Sequence, residues 1–148
     1  MTSCTTCALI HRRDAGEAPP WDQIRRTPYW DVVHAYGTAV EGWLVLVVRR
    51  HVTAMADLTD DEAAELGPLI TATSRALHAT VGCAKTYVAQ FAEHPDHPHV
   101  HVHVIPRPAD LPADLRGPRI FSHLDRPADQ QVPEDRRNEI AAALRRHL

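Results

Sequence analysis

Hydrophobic and polar positions divide the chain into recognisable segments. WLVLVV (Trp43–Val48) is a continuous apolar run, which predicts a strand buried on both faces. The residues before it, YWDVVHAYGTAVEG, predict a partner strand across a turn region between Gly37 and Gly42. In LTDDEAAELGPLITATSRALHATV, Thr59 and Glu62 stand at capping-box spacing, where each side chain satisfies an orphan amide. Leu66, Leu69, Ile70, Thr73 and Leu77 then recur at helical spacing, predicting an amphipathic helix to about His78. Pro68 lies inside it and predicts a kink or a late start. Residues 85–92, KTYVAQFA, alternate as a strand does, EHPDHP reads as a turn, and HVHVHVI as a further strand bounded by Pro95, Pro98 and Pro106.

The two remaining stretches are less regular. Residues 1–28 carry no clear period and are expected to be loop and turn. Residues 107–133 are proline-rich and longer than an idle connection, so they are expected to pack over the body or a site. PEDRRNEIAAALRRHL predicts a terminal helix over 133–148, with proline at its start and acids in its first turn. The whole predicts one α+β domain over residues 1–148, with a mostly antiparallel sheet, a central amphipathic helix and a C-terminal helix. A chain of 148 residues is long enough for such a core.

Charge narrows the partners. A formal net charge of −3, with 24% charged residues, offers no basic footprint for nucleic acid. No apolar run approaches membrane-spanning length, and no charged-then-hydrophobic leader opens the chain, so no membrane partner is expected. Three cysteines, an odd number, argue for a reducing cytoplasm over a disulfide framework. Cys83 reads as a small buried hydrophobe.

The candidate chemistry lies in histidine and cysteine. On a strand, His99, His101 and His103 would share one face while Val100, Val102 and Val104 pack on the other. Three readings fit that row: a polar strand edge, a three-histidine zinc that activates water, or nucleophilic catalysis by histidine beside an anionic substrate. Cys4 and Cys7 have C-x-x-C spacing, which suits half a zinc site, a redox pair or two unrelated thiols. A redox motif needs a preceding strand, and none is expected there. A structural zinc needs two more ligands. His51, ending the buried strand, and His99, opening the histidine strand, complete a Cys2His2 set with Cys4 and Cys7 and leave His101 free.

With these residues in view, the chain resembles the histidine triad (HIT) family. That family's signature is histidine–apolar–histidine–apolar–histidine–apolar–apolar, and His99-Val100-His101-Val102-His103-Val104-Ile105 fills every position. GWLVLVVRRHVTAMADLTDDEAAELG is similar to the family's strand, basic-histidine turn and start of the central helix. An N-terminal C-x-x-C opens many of its bacterial members, and residues 1–107 can be read against the family. In the related galactose-1-phosphate uridylyltransferases, zinc is held by positions that match Cys4, Cys7, His51 and His99.

The resemblance implies a HIT-like fold, a symmetric homodimer and covalent catalysis. His101 would attack the α-phosphorus of a nucleotide, and water or another acceptor would resolve the nucleotidyl-histidine. His103 would donate to the phosphate, and Gln90 would stand for the family's upstream amide. His99, Arg107, Asp31 and His34 are the candidates for contact with substrate. Arg107 in VIPR is similar to the branch that hydrolyses dinucleoside polyphosphates such as diadenosine tetraphosphate. A nucleoside phosphoramidase or nucleotidyltransferase is the alternative within the family. A three-histidine zinc hydrolase or a non-catalytic nucleotide-binding module is the alternative outside it. The chain departs from the family before the triad, where AQFAEHPDHPH replaces a glycine-rich loop and brings His94 and His97 near the leaving-group side.

Overall fold

The computed structural model describes residues 3–148. A five-stranded antiparallel sheet runs in the order β1-β2-β3-β5-β4, from β1 (Arg25–Arg26), β2 (Trp30–His34), β3 (Leu44–Val48), β4 (Lys85–Gln90) and β5 (His101–Arg107). Three α-helices accompany it: α1 (Thr5–Asp14), α2 (Asp60–Thr80) and α3 (Glu134–Arg145).

One face of the sheet carries the main core. Val32, Leu44, Leu46, Val48, Val102 and Val104 point together from β2, β3 and β5 toward Leu69 and Leu77 of α2 and Ile140 and Leu144 of α3. The β3 run is buried on both faces, as its lack of polar alternation requires. Truncating a fully buried leucine such as Leu77 to alanine costs about 2–5 kcal/mol through lost transfer energy and the cavity left behind. The capping box at the start of α2 is complete: Glu62 N–H donates to Thr59 Oγ1 at 3.1 Å, and Thr59 N–H donates to the Glu62 carboxylate at 2.8 Å. Pro68 neither breaks the helix nor delays its start, which lies at Asp60.

Gly42 turns the chain from β2 into β3 with φ of 84°. A Cβ there would meet side-chain atoms of Leu77, Val81 and Pro106 at 3.1–3.3 Å, which would have to yield by a few tenths of an ångström, and the positive φ itself favours glycine.

Three local expectations change. Residues 5–14 form α1 rather than loop. Its buried face is Thr6, Ile10 and Arg13, two of them polar, so helical spacing is present without an apolar stripe to reveal it. The histidine strand begins at His101, not His99, and continues through Pro106 to Arg107. Beyond the Leu44↔Val104 pair, β5 has a partner on one side only, which accommodates a residue lacking an N–H.

The proline-rich segment does pack over the body. It forms short 3-10 turns at Ala113–Leu115, Gly117–His123 and Ala128–Gln130, and buries Leu111, Ile120 and Val132. Leu111 and Ile120 join Trp43 and Ile105 in a second core on the sheet face opposite α2.

Candidate active site

That second face holds a cavity of about 410 Å3. Its floor comes from the sheet, where Val45 pairs with His103 and Val47 with His101, so both imidazoles and both valines stand on one side. Thr6 and Leu9 of α1 form one wall, residues 91–97 another, and Leu124 and Asp125 close it from the proline-rich segment. The volume suits a small organic ligand.

The hydrogen bonds assign the two histidine tautomers. His101 Nδ1–H donates to the His99 carbonyl at 2.7 Å, which leaves the Nε2 lone pair free. Burial, foremost, holds the His101 pKa below its ordinary value. The indole N–H of Trp43 donates to His103 Nδ1 at 3.0 Å, which leaves the proton of neutral His103 on Nε2. Burial, helped by His101, pushes the His103 pKa down to about 3. Two neighbouring rings, 5.1 Å apart between centroids, thus offer one nucleophilic nitrogen and one neutral donor.

The cavity wall is held from α1. Thr6 Oγ1 lies 2.8 Å from His97 Nδ1, Tyr36 Oη lies 2.9 Å from His97 Nε2, and Thr5 N–H donates to the Asp96 carbonyl at 2.9 Å. His94 also lines the cavity, with its Nδ1 accepting from Asp96 N–H at 3.1 Å.

Behind the wall lies a second cluster. Ligating atoms of Cys4, Cys7, His51 and His99 all stand within 4.8 Å of one another. Cys7 Sγ is 3.2 Å from His51 Nδ1 and 3.6 Å from His99 Nδ1, Cys4 Sγ is 3.8 Å from His99 Nδ1, and the two Nδ1 atoms are 3.3 Å apart. A tetrahedral ion with zinc bond lengths needs edges of about 3.6 Å for sulfur–nitrogen and about 3.3 Å for nitrogen–nitrogen. The four residues fit such an ion. His99 Nε2–H donates to the Val48 carbonyl at 2.6 Å, which aims the Nδ1 lone pair into the cluster. Cys4 is also the N-cap of α1, with its sulfur accepting from Cys7 N–H at 3.4 Å, so the helix start and the cluster are one construction.

Two comparisons bear on this arrangement. The model of the HIT domain family matches residues 24–110, more than half of the chain. The chain belongs to the HIT domain family. Its fold is similar to that of a histidine triad protein from Bradyrhizobium japonicum, at 28% identity over 84% of this chain and 87% of that one, with a TM-score of 0.68. It is also similar to a zinc-bound histidine triad family protein from Mycobacterium smegmatis, at 20% identity over 96% and 93% of the two chains, TM-score 0.66. A histidine triad nucleotide-binding protein from Sulfolobus tokodaii gives 16% identity over 97% and 91%, TM-score 0.71. None of the curated proteins matches the chain.

This HIT domain does not gather every residue that the sequence pointed to. His99 leaves the row: its ring enters the metal-type cluster, so the three histidines do not converge on one point and His99 does not face the cavity. Gln90 pairs with Val102 and therefore lies on the α2 side of the sheet, and Ala89 is the residue beside His103. Arg107 ends β5, six residues and about 20 Å of strand beyond His101, with its guanidinium on the Pro108 and Ala109 carbonyls. Asp31 is buried and committed to Arg13 at 3.1 Å and Arg26 at 2.6 Å. His34 borders the cavity, yet its Nδ1–H donates to the Ala35 carbonyl at 2.7 Å and its Nε2 accepts from Gly42 N–H at 2.9 Å. Burial pushes its pKa down to about 4, so it is a satisfied neutral core histidine.

The charge of the HIT cavity is also particular. Among the described residues its lining includes one guanidinium, that of Arg13, which is held by Asp22 at 2.9 Å and by Asp31. Glu93, Asp96 and Asp125 stand exposed at the rim. Trp43, Tyr36 and Phe121 were not legible as site residues: each sits in a loop or apolar run whose local pattern signals packing alone.

Proposed function

We propose that this HIT protein is a nucleotide hydrolase that works through a covalent nucleotidyl-His101, with a dinucleoside polyphosphate such as diadenosine tetraphosphate as its substrate. The observation that carries the reading is the 2.7 Å hydrogen bond from His101 Nδ1–H to the His99 carbonyl, because it leaves Nε2 unprotonated beside the cavity. In the first step, His101 Nε2 forms a bond to the α-phosphorus as the bond to the leaving polyphosphate oxygen breaks. His103 Nε2–H donates to the phosphate oxygens as charge builds there. In the second step, water attacks phosphorus and releases a proton to solvent, the phosphorus–nitrogen bond breaks with its electron pair returning to Nε2, and a nucleoside monophosphate departs with neutral His101 restored.

The test is intact-protein mass spectrometry after brief incubation with diadenosine tetraphosphate, quenched at alkaline pH because phosphoramidates are acid-labile. A nucleotidyl adduct on His101, absent from His101→Ala, is the expected result. Turnover that persists in His101→Ala would sink the mechanism.

A second reading, nucleoside phosphoramidase or nucleotidyltransferase, draws support from the charge of the cavity. Arg13 is neutralised, and three rim carboxylates repel a long polyphosphate while favouring an amine or neutral leaving group. Comparing kcat/KM for diadenosine tetraphosphate and for an adenosine phosphoramidate separates the two.

In both readings Cys4, Cys7, His51 and His99 hold zinc, which organises the structure and leaves the attack to His101. The proposed homodimer is supported by β4, an edge strand followed by Phe91 at 57% exposure, and light scattering on the purified protein tests it. The proposed cytoplasmic location is supported by the odd number of cysteines, three, which suits a reducing compartment better than a disulfide framework.

A further inference from the structure

Trp43 is fully buried, and its indole N–H has His103 Nδ1 as its acceptor at 3.0 Å. An indole nitrogen donates and never accepts, so this contact requires the lone pair of His103 to sit on Nδ1. Three other rings flank His103, which also lines the cavity. Trp43 meets it edge-on at 5.8 Å, Phe121 at 5.0 Å and His101 at 5.1 Å between centroids. Phe121 in turn stands edge-on to Trp43 at 5.2 Å, so the three side chains brace one another. Moving the proton to Nδ1 would set two N–H groups against each other, and flipping the ring would set Cδ2–H against the indole N–H, so either change leaves the fully buried indole N–H without an acceptor.

We infer that Trp43 is a positioning residue: it holds His103 in the Nε2–H tautomer and so makes that ring a neutral donor to the substrate. Which of two adjacent histidines attacks then follows from their hydrogen bonds. His101 has a carbonyl below Nδ1 and presents a lone pair, whereas His103 has an N–H below Nδ1 and presents a proton. The two rings are alike in type, spacing and face, and differ in this partner. Phe121 comes from the proline-rich segment, beyond the residues that the family model matches, so part of the bracing belongs to this chain's own tail. The inference rests on the proposed function for the phosphate that His103 would meet, but the tautomer itself does not.

A long-range proton–nitrogen correlation spectrum of histidine-labelled protein, recorded without substrate, reads the tautomer directly. His103 is expected wholly as Nε2–H in the wild type and as a mixture in Trp43→Phe. With nucleotide, kcat should fall about tenfold, short of the 10^2–10^3 of a fully lost donor, while KM stays within about twofold. Site-specific replacement of Trp43 by benzothienylalanine keeps the ring volume and removes only the N–H, and it should reproduce both effects even if the phenylalanine variant folds poorly. A His103 that stays Nε2–H without the indole donor, or that is Nδ1–H in the wild type, overturns the inference. Absence of nucleotide turnover in the wild type would overturn the proposed function and leave the spectrum to decide the tautomer by itself.

Discussion

The carbonyl of His99 accepts the Nδ1–H of His101 at 2.7 Å, while the ring of His99 turns the opposite way, into the cysteine cluster. One residue therefore serves two centres, its backbone fixing the candidate nucleophile and its side chain completing the candidate metal site. An ion held by His99 would steady the peptide on which the His101 tautomer depends, with no part in the bond changes.

His101→Ala should lose at least about 10^3-fold in kcat/KM for any nucleotide that the wild type cleaves, because no neighbour can take over the attack. His103 carries its proton on the cavity side and is a poor substitute. Steady-state kinetics with the adduct assay checks this, and a loss under about tenfold would point to a mechanism without covalent histidine.

Cys7→Ser, or stripping of metal by a strong chelator, should lower Tm by about 10 °C or more, since the cluster fastens α1 to β3 and to the loop before β5. Differential scanning fluorimetry alongside metal analysis provides the measurement. A preparation that has lost its metal and kept its Tm would contradict a structural role.

His34 should make the fold acid-sensitive. Its folded pKa of about 4 lies below the ordinary 6.5, so the unfolded chain takes up the proton first as pH falls. Its contribution is complete above about pH 6.5 and is lost as pH drops toward 4, to the extent of about 3 kcal/mol. In urea unfolding, His34→Gln should be less stable than wild type at pH 7, with the gap narrowing by pH 4.5. A gap independent of pH would refute this assignment.

Asp31→Asn should cost stability rather than substrate affinity. The carboxylate is 1% exposed and meets Arg13 and Arg26, so neutralising it leaves Arg13 with Asp22 and Arg26 with Asp14 as their remaining ion-pair partners, at about 1.5–3 kcal/mol. Urea midpoints should shift, while KM for nucleotide in the folded protein stays within about twofold. A large rise in KM with unchanged stability would restore Asp31 as a contact with substrate.

Glu93→Gln and Asp125→Asn should each raise kcat/KM for diadenosine tetraphosphate about two- to fivefold at low salt, by removing repulsion at the rim. The gain should shrink as salt is added and be absent for an uncharged phosphoramidate leaving group. Equal gains on both substrates would argue against a charge effect.

What the sequence determined is whatever depends on neighbours along the chain. The capping box at Thr59 and Glu62, the buried run Trp43–Val48 and the pairing of His101 with His103 on one face follow from helical and strand periods alone. Cys4, Cys7, His51 and His99 were also legible, because so few residue types bind a soft cation and their order limits the combinations. What only the tertiary structure decided is which polar groups are already occupied. Asp31 and His34 look free as residue types, yet Arg13, Arg26, Ala35 and Gly42 occupy them, and register alone puts Gln90 on the wrong side of the sheet. Helix α1 was hidden for the same reason, its inward face being polar and satisfied by partners distant in sequence. A hydrogen bond between residues 60 positions apart, such as Trp43 to His103, leaves no local pattern, because its donor reads as one more hydrophobic residue until folding gives it an acceptor.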